Sequence, residues 1–83
     1  MSRRLNDLTY VISEIRISDS GYPYIEQQGI TDNKQDALAL FNSWCEDFGA
    51  RLTQNMRYGK QMHMKAIGID NINKKFTIDL SSF

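Results

Sequence analysis

The chain has one cysteine, one proline and one histidine among its 83 residues, and its acids and bases cancel to no net charge. Cys45 alone cannot close an internal disulfide, so stability must come from packing or self-association, and a reducing, cytoplasmic setting is expected. His63 alone, without an HExxH or a CxxC pattern, leaves zinc binding without a ligand set. The five glycines are scattered at positions 21, 29, 49, 59 and 68, so no glycine-rich phosphate loop is present. No apolar run approaches the roughly 20 residues of a membrane span. After Arg3 and Arg4 the N-terminus turns polar, where a signal peptide needs about 7 to 15 apolar residues. Neither secretion nor membrane insertion is expected.

What is present is a single domain, 1–83, with residues 1–7 read as a flexible N-terminal segment. Four phenylalanines, four tyrosines, a tryptophan and four methionines supply more large apolar side chains than a disordered segment carries. A domain this small buries only about 60 to 65 % of the surface its unfolded chain exposes, so a thin core is expected.

From Leu8 to Ser18 the chain is rich in β-branched and aromatic residues, which suit a pleated surface. Asp19-Ser20-Gly21 then supplies turn chemistry, and Tyr22 to Gln28 returns as a second strand with Pro23 near its start. Asp32, with Gln35 three residues later, reads as a capping box that opens a helix running to about Phe48. Ala37, Leu40, Phe41, Trp44, Cys45 and Phe48 form an apolar stripe at helical spacing, opposite Asp36, Ser43, Glu46 and Asp47. Gly49 is the expected stop. Residues 51–57 read as extended, with a short additional strand an option around 52–57, and Tyr58-Gly59-Lys60 reads as a turn or bulge. Met62, Met64 and Ala66 alternate with His63, Lys65 and Ile67, which is a strand period. Asp70 to Asn73 is a hairpin turn, lacking the glycine and distal glutamate of a calcium loop. In the last strand, Lys75 to Leu80, Phe76, Ile78 and Leu80 face inward.

The expected fold is therefore α+β, in the order β-β-α-β-β, with an antiparallel sheet of about four strands and one helix packed on one face. A helix of about 17 residues is roughly 25 Å long and cannot cover both sheet faces. The first strand is apolar on both sides, with Tyr10 and Ile12 on one and Val11, Ile15 and Ile17 on the other. That pattern predicts cover on both sides, and in so small a chain the expected cover is a second copy, giving a homodimer.

Charge is divided by region. Residues 14–50 carry seven acids against two bases, and residues 51–75 carry six bases against one acid. Such a split points to a partner that meets one face of the fold, either a protein or a nucleic acid. No acid, base or nucleophile constellation is apparent, so no catalytic residue, metal or cofactor is assigned and an enzyme is not expected. His63 reads as a solvent-facing or interface imidazole, Cys45 as a core thiol, and Asp36, Glu46 and Asp47 as a solvated helix face or an acidic docking patch.

Arg51, Arg57, Lys60, Lys65, Lys74 and Lys75 surround Tyr58 and His63, a mixture that can contact protein, hold phosphates, or stay solvated as an edge that discourages strand pairing. The candidate partner-binding residues are Tyr22, Tyr24, Arg57, Tyr58, Lys60, His63 and Lys65. The reading that follows is a non-enzymatic protein-protein interaction module, an inhibitor or regulator of a larger cytoplasmic assembly. The alternative is a nucleic-acid-binding module that uses residues 51–75 and the nearby tyrosines. In size and makeup the chain resembles the small inhibitors carried by bacteriophages and mobile elements, anti-CRISPR proteins among them, although no motif carries that resemblance.

Overall fold

In the computed structural model, which describes residues 8–58 and 61–83, one helix lies across a five-stranded antiparallel sheet. The chain runs β1 (Tyr10–Ile17), β2 (Pro23–Thr31), α1 (Lys34–Phe48), β3 (Arg51–Tyr58), β4 (Gln61–Ile69) and β5 (Lys75–Ser82). In the sheet the strands stand in the order β2-β1-β5-β4-β3. The helix thus carries the chain from one sheet edge to the other, and the pairing of β1 with β5 joins the two halves.

The α+β class, the single helix and the antiparallel sheet match expectation, but the sheet has five strands rather than about four. The additional strand is β3, a full partner of β4 from Arg51 to Tyr58. Its Thr53-Gln54-Asn55 centre is polar, and a bulge between Leu52 and Gln54 interrupts the period of two, so its pattern is faint in sequence. The second strand continues past Gln28 to Thr31. The turn expected at 58–60, the side chain of Tyr58 and the segment 1–7 lie outside the described residues.

The helix starts one residue later than the capping box suggests. Asn33, not Asp32, is the cap, and its Oδ1 accepts from the backbone N–H groups of Gln35 and Asp36 at 2.9 and 3.1 Å. Gly49 ends the helix in the left-handed region at φ 64°, as expected, and its N–H reaches back to the Glu46 carbonyl. The buried stripe of Ala37 and Phe41 is flanked by half-buried Leu38, Leu40, Trp44, Cys45 and Phe48. Leu38 widens the expected stripe because the helix crosses several strands.

Beneath the helix, β1 contributes Tyr10 and Ile12, β5 contributes Phe76, Ile78 and Leu80, and β4 contributes Met62 and Ala66. Ser82 is also buried in this layer, and its Oγ accepts from the Met62 N–H at 2.7 Å, which offsets the cost of burying it. Gly68 pairs with Phe76 across the strands, and the Phe76 ring lies directly over the glycine. A β-carbon at Gly68 would stand 2.3 Å from the Phe76 ring, and one at Gly29 would stand 2.7 Å from the mobile end of Leu40. Gly68→Ala is therefore expected to cost about 1–3 kcal/mol of stability by overpacking, and Gly29→Ala clearly less. Urea unfolding of the two variants measures the difference.

Candidate functional site

The sheet register decides which side chains share a surface. Directly paired residues lie on the same face, so the helix face carries Tyr10, Ile12, Glu14 and Arg16 of β1, with Gln27 and Tyr24 of β2 beside them. The opposite face carries Val11, Ser13, Ile15 and Ile17 of β1, together with His63, Lys65 and Ile67 of β4. The two-sided apolar character expected of the first strand is therefore present.

These pairings divide the residues singled out from sequence. Tyr22 and Tyr24 stand at the β1–β2 turn, where β2 begins. Arg57 stands at the far end of β3, at the other edge of the sheet, on the helix side opposite Met62. His63 and Lys65 lie on the open face, so the expectation that the tyrosines join Arg57, His63 and Lys65 there does not hold. Lys60 and the side chain of Tyr58 fall outside the described residues. The physical reason is that the bulge at Thr53 shifts the alternation of β3, which turns Arg57 to the helix face while Arg51, His63 and Lys65 stay on the other, and strand length sends Arg51 and Arg57 to opposite ends.

The remaining bases are partly neutralised. Lys65 is the cross-strand partner of Asp79, whose carboxylate also lies 3.1 Å from His63 Nδ1. The same His63 nitrogen stands 3.2 Å from Ser81 Oγ. Lys74 donates to Asp19, and that contact raises the lysine pKa. Among the described residues no continuous basic stripe results.

What the fold does assemble is the end of the sheet where the β1–β2 and β4–β5 turns emerge. They are neighbours because β1 pairs with β5, with Arg16 opposite Phe76. In the first turn Gly21 adopts φ 87°, and the Ser18 hydroxyl accepts from the Tyr22 N–H at 3.1 Å. In the second, Asp70 Oδ1 accepts from the N–H groups of both Ile72 and Lys74 at 2.9 Å, and Asn73 takes the left-handed conformation at φ 63°. The Lys74–Asp19 pair ties one turn to the other. Tyr22 and Ile72 are displayed on these two turns with 72 % of their surface exposed, and Tyr24, Ile25 and Ile69 are exposed on the strands beside them.

Under the turns sits a polar cluster. Glu14 is fully buried and accepts from Arg16 Nε at 2.5 Å and from Gln27 Nε2 at 2.8 Å, which gives each carboxylate oxygen a donor. The Arg16 guanidinium also lies over the rings of Phe48 and Phe76, 5.3 and 5.4 Å from their centres, and reaches Asp70 Oδ2 at 3.5 Å. The two rings meet edge to face. The bond to Glu14 is the main cause of the raised Arg16 pKa. The last turn of α1 has no basic residue, so Arg16 brings from the sheet the cation that favours a helix C-terminus.

Beside this cluster opens a pocket of about 310 Å³, lined by Arg16, Asp47, Phe48, Ile69, Asp70, Asn71 and Phe76. Its floor is aromatic, and Asp47 and Asp70 place two carboxylates on its wall. Hydrogen bonds from the Lys74 and Ile72 backbones, with the charges of Arg16 and Lys74, hold the Asp70 carboxyl below its usual range. Half-burial pushes the Cys45 thiol up, in line with an inert core cysteine. Among the described residues no group of three His, Cys, Asp or Glu side chains could hold a metal ion. No helix among them is long and apolar enough to cross a membrane.

Sequence reading singles out Tyr22 and Tyr24 but not Ile72, Ile69 or the Arg16 cluster. The available signal is the opposite charge of Asp19, inside one predicted turn, and Lys74, directly after the other. Removing Arg16 leaves Glu14 buried with a single amide donor, so Arg16→Met is expected to lower stability by about 3 kcal/mol, measured by urea unfolding. A depressed Asp70 pKa contributes stability that is present above its unfolded value and lost as pH falls below about 4. The loss of melting temperature between pH 5 and pH 2 should accordingly be smaller in Asp70→Asn than in the wild type.

Comparisons with protein-family models, with curated proteins and with solved structures found no match for this chain.

Proposed function

We propose that this chain is a non-enzymatic protein-interaction module. It acts in the cytoplasm as a stoichiometric inhibitor or regulator of a larger protein assembly, and it meets that assembly with the end of the sheet where the two turns converge. The observation that carries the reading is the display of Tyr22 and Ile72 on two hydrogen-bonded turns held side by side by the Lys74–Asp19 pair. Large apolar groups exposed on a preorganised backbone lose little entropy on binding, which is the condition for a strong anchor.

The pocket beneath the turns supports the same reading. Arg16 already lies over the Phe48 and Phe76 rings and beside Asp70, so Asp47 is the wall carboxylate offered to a lysine or arginine of the partner segment. Electrostatic complementarity of this kind fixes register and speeds encounter. The nucleic-acid alternative has less support, because Lys65 lies beside Asp79, Lys74 pairs with Asp19, and Arg51 and Arg57 stand at opposite ends of β3.

Affinity capture from a host extract, with and without nuclease, followed by calorimetry on the captured protein, tests the proposal. Wild-type protein is expected to retain a nuclease-resistant partner. Tyr22→Ala combined with Ile72→Ser should weaken that partner by about 2 kcal/mol or more, roughly thirtyfold in affinity. The double variant Arg57→Glu, Lys60→Glu, whose Arg57 stands at the opposite end of the sheet, should bind as the wild type does. Loss of every partner on nuclease treatment would transfer the reading to nucleic acid, and loss confined to the Arg57→Glu, Lys60→Glu protein would move the contact to the β3–β4 end.

A further inference from the structure

We infer that the open face of the sheet is closed by a second copy of this chain, packed face to face about a two-fold axis that runs along β5. The strand pairings arrange this face in rows perpendicular to the strands. One row reads Ile25, Ile15, Thr77, Ile67, Arg51, the next Gln28, Ser13, Asp79, Lys65, Gln54, and the third Ile30, Val11, Ser81, His63, Met56. Apolar groups thus occur on both sides of the polar central strand β5.

A two-fold axis parallel to the strands lays β1 of one copy over β4 of the other and keeps each row facing itself. Ile15 then meets Ile67, Ile30 meets Met56, Ser13 meets Lys65, and Thr77 meets Thr77 at the axis. The alternative two-fold, perpendicular to the strands through the middle row, lays Ile15 over Val11 and Ile25 over Ile30 but stacks Lys65 on Lys65. The first arrangement sets Lys65 over Ser13 instead, with Ile25 over Arg51 and Val11 over His63 at its margins. The two Asp79 carboxylates brought near the axis oppose each other, and each keeps the Lys65 and His63 of its own chain beside it, with the ring 3.1 Å away, so the charge at the axis is offset within each copy.

Size and edges support the same occupant. Five strands of eight or nine residues present about 600 Å² in projection. Side-chain relief raises that toward the roughly 800 Å² of accessible surface that each partner gives to a standard interface. Pairing through the sheet edges is the competing route, and it is obstructed. Both edge strands carry a bulge, at Glu26 in β2 and at Thr53 in β3, and β2 opens with Pro23.

An axis along the strands leaves both pairs of turns at the same end of the dimer. Two copies of the proposed contact surface then stand side by side, which suits a symmetric or repetitive partner through effective concentration. The dimer itself does not depend on the proposed function, since Tyr22 and Ile72 lie on the turns, outside the rows that pack.

Sedimentation equilibrium of the full chain from micromolar to sub-millimolar concentration tests the inference. The expected species has twice the 9.6 kDa chain mass. Ile67→Lys, which the two-fold doubles, should weaken the dimer at least about tenfold while circular dichroism remains that of the folded protein. Ile72→Ser should leave the dimer intact and lose only the larger partner, so the two readings fail separately. Thr77→Cys in a Cys45→Ser background should cross-link to its own copy with a short bismaleimide, which keeps the test open if Ile67→Lys does not fold. A chain that stays monomeric throughout, a dimer indifferent to Ile67→Lys in a folded protein, or absence of the Thr77→Cys cross-link overturns the inference.

Discussion

One fifteen-residue helix has to close a five-stranded sheet, and the rest of the structure follows from that mismatch. The sheet is about 24 Å wide at ordinary strand spacing, and the helix is about 10 to 12 Å across. It therefore packs mainly over β1 and β5, with lesser contact to β2 and β4, and after Gly49 the chain leaves it for β3 at the far edge. The tight core lies under the helix, on β1, β5 and the inner side of β4. The corner that holds Arg57 and the whole opposite face lie outside it.

At the C-terminal end of the helix, polar chemistry takes over from apolar packing. Glu14 is buried at the edge of the core, and its two oxygens are satisfied by Arg16 and Gln27. Arg16 in turn stacks on Phe48 at the end of the helix, on Phe76 from β5, and reaches Asp70 in the β4–β5 turn. A single guanidinium so links helix, sheet and turn. Burying such a group adds little net stability compared with an apolar packing of the same volume, and its contribution is to fix one geometry among several. The fixed geometry is what gives the exposed Tyr22 and Ile72 a defined relative position, and that is the structural basis for the function proposed.

The covered half of this fold is legible in the sequence, because burial on one side imposes a period. Ala37, Phe41, Trp44 and Phe48 reveal the helix. Phe76, Ile78 and Leu80 reveal β5, and Met62, Met64 and Ala66 reveal β4. Gly49 is readable as the stop because only its conformational freedom suits that position. β3 was hard to read for the converse reason. It lies outside the main path of the helix, so no side of it has to be uniformly apolar, and the bulge at Thr53 shifts what alternation remains. The cap was misplaced by one residue because Asp32 and Asn33 both carry an oxygen that can accept from the first helical N–H groups.

The site was less legible than the fold. Tyr22 and Tyr24 are visible as aromatics at the start of the second strand, but Ile72 gains its meaning only from the β1–β5 pairing, which joins segments about sixty residues apart. The basic segment showed the opposite failure. Its residues are close in sequence and are separated in space by the bulge in β3 and by the length of that strand. The most direct test of the account is a dilution series followed through isoleucine methyl resonances. Ile15, Ile17 and Ile67 should move with protein concentration, while buried Ile12 and Ile78 and turn-borne Ile72 stay fixed. Movement of Ile72 alone, or no movement at any concentration, would contradict the claim that the uncovered face is closed by a second copy.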